Sequence, residues 1–260
     1  MQLIVQNYEP ASRVANVKLC CVRRRFFVSQ FDNNHASMDG EAAHHLGKVL
    51  RAQTGQQYEL SDGQTVFLGQ IEKVSRDRVE FKLLEEVPAH QAKLRTTLLL
   101  AVVKFDMFEW ALEKATELDV LTIVPIAADR SEKGLLAAAA KRSERWQRLL
   151  LEASQQSRRL RIPVLERVTR PEEAFAASKS DLKLFLSEKP EAPHLRTLLA
   201  GKQCASVTFA IGPEGGWTDP EIASARGAGF REGSLGRLIL RTETAVVAAL
   251  ASLNYALAAD

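Results

Sequence analysis

The sequence has 260 residues, of which 46% are hydrophobic and 26% charged, with a formal net charge of +3. That length can bury one large core or a large and a small one, and no apolar run approaches the ~20 residues that a membrane-spanning helix needs. The mild charge excludes a nucleic-acid binder acting through bulk basicity, so any such surface must come from local clustering.

Residues 1–22, MQLIVQNYEPASRVANVKLCCV, lack the charged start, apolar centre and small-residue cleavage site of a secretory signal, and are read as a disordered N-terminal extension. Cys20, Cys21 and Cys204 make no CxxC pair and no disulfide framework, which points to a reducing cytoplasm. From 23 to 88 the chain reads as short strands, RFFVSQ, QYELSD, TVFLGQIEKV and RVEFKLLEEV. In the last of these Val79, Phe81 and Leu83 alternate with Glu80 and Lys82, the period of a half-buried strand. Asp62-Gly63 marks a turn, EAAHHLGKVLR a short helix, and Gly55 the glycine that ends it. The expectation is a small β-barrel with one helical insertion. Its linker is EEVPAHQAK, where Pro88 breaks the strand pattern.

From 94 to 260 strands and helices alternate, which predicts a parallel sheet covered on both faces, an α/β domain. The strand candidates are TTLLLAVV, LTIVPI, LKLFLS, ASVTFAIG and LGRLILR. Asp106 and Glu109 have the spacing of a capping box, followed by Phe108, Leu112, Ala115 and Leu118 at helical intervals. A second helix is expected over 141–156.

Three stretches carry chemistry. In IGPEGGWTDPEI, 211–222, an apolar strand runs into Gly212, Pro213, Glu214, Gly215 and Gly216, and Thr218 with Glu221 forms a capping box for the helix that follows. Ligands of open α/β sheets bind at such strand-to-helix turns, where glycines let the backbone approach closely. Neither the phosphate loop GxxxxGK[ST] nor the dinucleotide fingerprint GxGxxG is present, and Glu214 would repel a phosphate, so an uncharged or cationic ligand fits better than a nucleotide phosphate. In LGRLILRTETAVVAALASLNYALA, 235–258, a short strand is expected to end at Arg241, and Thr242 or Thr244 to cap an almost wholly apolar helix that must be buried in a core or a subunit interface. Arg241 and Glu243 at its start are either a surface ion pair or a functional pair. Between 141 and 161 seven basic residues (Lys141, Arg142, Arg145, Arg148, Arg158, Arg159, Arg161) face two acidic ones (Glu144, Glu152), a local balance of 7 − 2 = +5. That run is either a solvated helix face or a phosphate-gripping surface, since the guanidinium fork suits phosphate oxygens. The adjacent His44 and His45 lack ligand spacing, so no metal site is expected.

Together these stretches resemble the RsmE family of 16S rRNA (uracil-N3) methyltransferases of the SPOUT class. The resemblance is carried by KATEL at 114–118, ERWQRLLLEASQQSRR at 144–159, IGPEGGWTDPEI, and LGRLILRTETA at 235–245. It extends to RRRFFV and HHLGKVLRAQTGQQYELSDG in the first part. It implies a PUA-like RNA-binding barrel followed by a SPOUT domain with a C-terminal trefoil knot, a homodimer, and S-adenosyl-L-methionine as cofactor. The cofactor would be held by Leu186 and Ser187, by Ile211, Gly212, Pro213, Gly215 and Gly216, and by Leu235, Gly236, Leu238, Leu240 and Thr244. Catalysis is expected of Arg241 oriented by Glu243, with Glu214 a weaker candidate for base. Small-subunit rRNA would be gripped by Arg23, Arg24, Arg25, Lys48 and Arg51 and by Gln156, Arg158, Arg159 and Arg161. Two positions depart from the family pattern: Arg237 is displaced by one from the Ile-Leu-Arg run, and Asp119 stands where glycine usually follows KATEL. The competing readings are a non-catalytic RNA-binding factor on the same fold and a ribose 2′-O-methyltransferase of transfer RNA.

Overall fold

The computed structural model describes residues 24–89 and 91–257; the expected extension over 1–22 and Arg23 lie outside the described residues. The first part contains β1 (Arg25–Phe27), β2 (His35–Asp39), α1 (Gly40–His44), β3 (Gln57–Ser61), β4 (Val66–Val74) and β5 (Arg78–Glu86), with α1 continuing into a single π turn over His45–Val49. The five strands form one sheet in the order β1-β3-β4-β5-β2; β1 runs parallel to β3 and the other pairs are antiparallel. Its edge strands do not pair with each other, so the expected barrel is an incomplete one. The Asp62-Gly63 turn forms as expected, with Asp62 Oδ1 accepting from the amides of Gln64 and Thr65 at 2.8 Å each and Gly63 at φ +87°. Desolvation, the largest single influence, raises the Asp62 carboxyl, but the hydrogen bonds from Thr65 and Gln64 together outweigh it and hold it below its usual range. Val79, Phe81 and Leu83 point into a core with Phe26, Leu46, Leu60 and Ile71. Strand β2 had no sequence signal, because HASMD has weak strand formers and buries only Ala36 and Met38.

The second part runs β6 (Arg95–Ala101), α2 (Phe105–Glu117), β7 (Thr122–Ile126), α3 (Lys133–Ala139), a 3-10 turn leading into α4 (Ser143–Gln156), β8 (Val164–Leu165), α5 (Pro171–Ala177), β9 (Leu182–Leu186), α6 (Leu195–Leu199), β10 (Ser206–Ile211), α7 (Asp219–Gly227), β11 (Arg231–Gly233) and α8 (Thr242–Leu257). The strands lie in the order β11-β9-β10-β6-β7-β8, every pair parallel. Alternation in β6 shows how the sheet is covered. Leu98 and Leu100 pack against the α2, α4 and α8 side, with Phe108, Leu112, Trp146 and Leu250. Leu99 and Ala101 face the opposite side, with Phe175, Trp217 and Ile222 of the α5 and α7 layer.

Two local expectations are corrected. LGRLILR forms no strand: β11 ends at Gly233, paired with Leu186, and the Ser234 hydroxyl then donates to Gly236 O at 3.0 Å and accepts from Gly236 N at 3.2 Å, turning the chain out of the sheet. The displaced Arg237 therefore lies in a loop and not in a strand. At α2 no capping box forms, because the N-cap is Lys104 and the Glu109 carboxylate is drawn to Arg142 and Arg145 at 2.9 Å. Asp119, by contrast, takes up the left-handed conformation a glycine would favour, φ +66°, and lies 3.4 Å from the Arg159 guanidinium.

Candidate functional site

A cleft of about 880 Å³, counting its open mouth, lies at the C-terminal ends of β9, β10 and β11, where ligands of open α/β sheets bind. Its rigidity comes from the segment after β10. Gly216, at φ +70°, donates its amide to Pro213 O at 2.8 Å and closes the turn. A β-carbon on Gly212 would fall 2.9 Å from the Trp217 ring, so only glycine lets that indole lie flat under the chain. The Trp217 indole is buried against Phe175 and donates from Nε1 to Leu186 O at 3.1 Å, tying the end of β9 to the turn. The expected capping box of α7 forms: Glu221 Oε2 accepts from Thr218 N at 2.7 Å and from the Thr218 hydroxyl at 2.9 Å. Its other oxygen accepts from the amide of Asp129 at 2.9 Å, so one buried carboxylate joins the helix start to the loop after β7.

The structure brings most of the expected cofactor residues to this cleft. Leu186 and Ser187 line one wall, Ile211, Gly212, Pro213 and Gly216 the floor, and Leu235, Gly236, Leu238 and Leu240 the other wall. Two differ. Thr244 is exposed and outside the cleft lining, and Thr242, two residues earlier, takes the cleft position, its hydroxyl donating to Gly212 O at 3.3 Å. Gly215 is not part of the cleft lining; Arg130, which is, packs against it. Trp217, Ile222, Ser234, Ile239 and Ala245 also line the cleft; Trp217 and Ile222 lie in IGPEGGWTDPEI and Ile239 and Ala245 in LGRLILRTETA, while Ser234 had no signal beyond its place before the latter.

Of the expected catalytic groups, Glu214 lies on the cleft rim. Arg241 is exposed and outside the cleft lining, and no ion pair joins it to Glu243 among the described residues. Glu243 is buried at the start of α8 with one carboxylate oxygen lacking a hydrogen-bond partner. The expected orienting pair is thus not formed. Two cations that the sequence reading passed over, Arg130 and Lys189, do border the cleft.

Of the expected RNA-binding arginines, Arg25 and Arg159 are buried, while Arg158 and Arg161 stay exposed but make contacts within the protein. Arg25 is buried in an ion pair with Glu59 at 2.8 Å, and Arg158, at φ +57°, reaches the same carboxylate from the other part of the chain. Arg159 is buried and donates to the carbonyls of Thr116 and Val120 at 2.7 and 2.8 Å, while Arg161 donates to Gly63 O. Burial lowers the pKa of both Arg25 and Arg159, the latter partly offset by Asp119. Arg24, Lys48, Arg51 and Gln156 remain exposed.

Residues 90–254 match the family described as RNA methyltransferase domain, and residues 38–84 the family described as RNA methyltransferase PUA domain. A Synechocystis protein named ribosomal RNA small subunit methyltransferase E is 34% identical over 224 residues, covering 81% of this chain and 70% of the relative. A crystal structure of a ribosomal RNA small subunit methyltransferase E from Neisseria gonorrhoeae bound to S-adenosyl methionine superposes with a TM-score of 0.81 at 29% identity, covering 90% of this chain and 98% of that one. A Legionella pneumophila methyltransferase solved with its bound cofactor SAM gives the same TM-score at 30% identity, covering 89% and 97%.

Proposed function

The chain belongs to the RNA methyltransferase family, in the company of ribosomal RNA small subunit methyltransferase E, and from that membership we propose that it methylates N3 of a uridine in 16S rRNA with S-adenosyl-L-methionine as donor. The observation that carries this reading is a cleft built from main-chain turns and apolar side chains, with no lysine-bearing phosphate loop, at the ends of β9, β10 and β11.

The residues present fit that donor. The amides of Leu238, Ile239 and Leu240 make no backbone hydrogen bond among the described residues, so the wall they belong to offers free donors to a ligand. Leu186, Leu235, Leu238 and Leu240 give the cleft an apolar lining suited to a base, and Glu214 and Glu188 on the rim favour a cationic centre. When bound, the donor supplies an electrophilic methyl group whose C–S bond breaks toward sulfur as the N3–C bond forms. The chain's own task is to hold uracil in line with that bond, which accounts for much of the rate in such transfers. It must also remove the N3 proton, for which the Glu214 carboxylate on the rim is the proposed acceptor.

In this reading the incomplete barrel binds RNA through Arg24, Lys48 and Arg51, and the target base leaves its helix to enter the cleft. A homodimer fits the bare apolar groups: Leu238 and Ile239 are 82% and 78% exposed, and Tyr255 on α8 is 95% exposed. The C-terminal trefoil knot is part of the same proposal, supported by the packing of α8 against α2 beneath β10 and by the Thr242 hydroxyl on Gly212 O. Among the described residues no helix is long and apolar enough to cross a membrane, and no group of three or more histidine, cysteine, aspartate or glutamate side chains is placed to hold a metal ion.

Incubation of small-subunit RNA or particles with the protein and labelled donor, followed by nucleoside mass spectrometry, tests this. N3-methyluridine is the expected product. A 2′-O-methylated nucleoside would redirect the assignment to ribose, and absence of any donor binding in a calorimetric titration would leave an RNA-binding factor.

A further inference from the structure

The loop after β7 brings one cation to the cleft rim, against the glycine turn. Arg130 is exposed and belongs to the cleft lining. It is held at two levels. Below it, the amide of the preceding residue, Asp129, donates to the buried Glu221 carboxylate, and the Asp129 side chain accepts from the Thr218 hydroxyl at 3.4 Å. At its tip, Nη1 donates to Gly215 O at 2.6 Å. A β-carbon on Gly215 would come within 3.3 Å of the Arg130 side chain, so the glycine is what lets the arginine lie along the turn.

The remaining donors of this guanidinium, Nε and Nη2, have no partner among the described residues, and no carboxylate pairs with it. That distinguishes it from the other cation on the rim, since Lys189 lies 3.9 Å from Asp219. The charged groups around it are Glu188 and Lys189 beyond β9, Glu214 in the turn and Asp129 on its own loop. An arginine fixed at one donor, with a planar fork left open toward a cleft, is arranged to meet an oxygen that carries or develops negative charge.

We propose that Arg130 donates its free N–H groups to a carbonyl oxygen of the target uracil and stabilises the negative charge that appears there when N3 loses its proton. This rests on the methyltransferase reading above and supplies the anion-stabilising group that Arg241, outside the cleft lining, does not provide in this structure. No proton moves through Arg130: the N3 proton passes to Glu214, the charge left on uracil spreads over N3 and its two carbonyls, and it is consumed as N3 takes the methyl group. Arg130 also faces a substrate rather than the donor's sulfonium, since two cations would repel.

The test compares wild type with Arg130→Ala, Arg130→Lys, Arg241→Ala and Gly215→Ala on an RNA carrying uridine or 5-fluorouridine at the modified position. Fluorine makes N3 more acidic, so it replaces part of what Arg130 supplies. Arg130→Ala should lower kcat on uridine RNA by about 100-fold or more, as loss of a preorganised oxyanion donor does. Its pH–rate profile should move alkaline, and a large part of the loss should be recovered on 5-fluorouridine RNA, with donor affinity by calorimetry within about threefold of wild type. Arg130→Lys should retain an intermediate rate, and Gly215→Ala, which displaces the arginine without removing it, should give the same fluorine rescue in weaker form. Without turnover, the fluorine resonance of the RNA bound with S-adenosylhomocysteine should titrate at lower pH in wild type than in Arg130→Ala.

Equal losses on both RNAs would make Arg130 a prop of the turn and overturn the proposal. So would a rescue pattern that belongs to Arg241→Ala instead, or a collapse of donor affinity in Arg130→Ala, which would assign the guanidinium to the donor's carboxylate. If wild type itself makes no N3-methyluridine, it is the functional reading that fails, and the fluorine titration still reports whether Arg130 touches the base.

Discussion

Gly212→Ala tests how the cleft floor is held. The added methyl would sit 2.9, 3.1 and 3.2 Å from three atoms of the Trp217 indole, distances at which something must move. The ring has little room, being 7% exposed, packed edge-on against Phe175 and hydrogen-bonded to Leu186 O at 3.1 Å. Overpacking of this kind costs about 1–3 kcal/mol. Displacing the indole also strains or breaks the Nε1 bond, worth about 0.5–1.5 kcal/mol, so the total destabilisation is about 2–4 kcal/mol. Only part of that reaches the ligand: if the Leu186 wall swings free by the worth of the lost bond, donor affinity falls by up to roughly tenfold. Denaturant unfolding measures the first quantity and calorimetric titration with S-adenosyl-L-methionine the second. Trp217→Phe, which removes the Nε1 donor without adding bulk, should reproduce the affinity loss at about 1 kcal/mol of stability. Normal donor affinity in both variants would refute the idea that the indole holds the two cleft walls together.

Three further outcomes follow from the ion pairs. Glu59→Gln leaves Arg25, 5% exposed in its side chain, buried without its carboxylate, and should cost about 3–5 kcal/mol in denaturant unfolding. Arg158 is half-exposed, so Arg158→Ala should cost far less. Glu109 is partly desolvated, which raises its pKa, but the hydrogen bonds from Arg145 and Arg142 outweigh this and leave it below 4.5. A depressed carboxylate stabilises the fold above its unfolded pKa and loses that contribution as pH falls through the folded one, so wild type should lose stability below about pH 4.5 more steeply than Glu109→Gln in an unfolding series run from neutral to acid. On the RNA side, Lys48→Ala and Arg51→Ala should each reduce the slope of log affinity against log salt by roughly 0.7–0.9, measured by filter binding across salt concentrations; unchanged slopes would remove the barrel face they share from the interface.

What was legible in the sequence is what depends on neighbours in the chain. The alternation in RVEFKLLEEV, the apolar runs of β6, β7, β9 and β10 and the Thr218–Glu221 box all appear where their local pattern puts them. The site's floor was legible for the same reason, since a strand followed by Gly212, Pro213 and two further glycines has few other uses. LGRLILR misled because its composition is that of a strand while its hydrogen bonds are withdrawn by the Ser234 turn and by the end of β11's pairing, neither visible as a periodicity. Arg130 was invisible because nothing within a few residues of it marks the cleft; its position is set by Glu221, 92 residues away in sequence at the bond to Asp129.

The same distinction decides the basic run over 141–161, where counting charge gave +5 but not where that charge points. Arg142 and Arg145 neutralise Glu109, Arg158 meets Glu59 on β3, Arg159 stoppers the carbonyls at the end of α2, and Arg161 reaches Gly63. The Ser61 hydroxyl adds a buried bond to Leu160 O at 2.8 Å, so the buried end of β3 is stitched to the segment after α4. Arginine is suited to this as much as to phosphate, because its five donors can satisfy several carbonyls and carboxylates at once where a lysine would satisfy fewer. Those contacts use some of the run's donors, while Lys141 and Arg148 stay exposed, as do Arg24, Lys48 and Arg51 of the first part. The bridge between the two parts thus lies just past α4, in Arg158 on Glu59, Leu160 O under Ser61 and Arg161 on Gly63 O, and it is there that most of the run's cations beyond the helix are used.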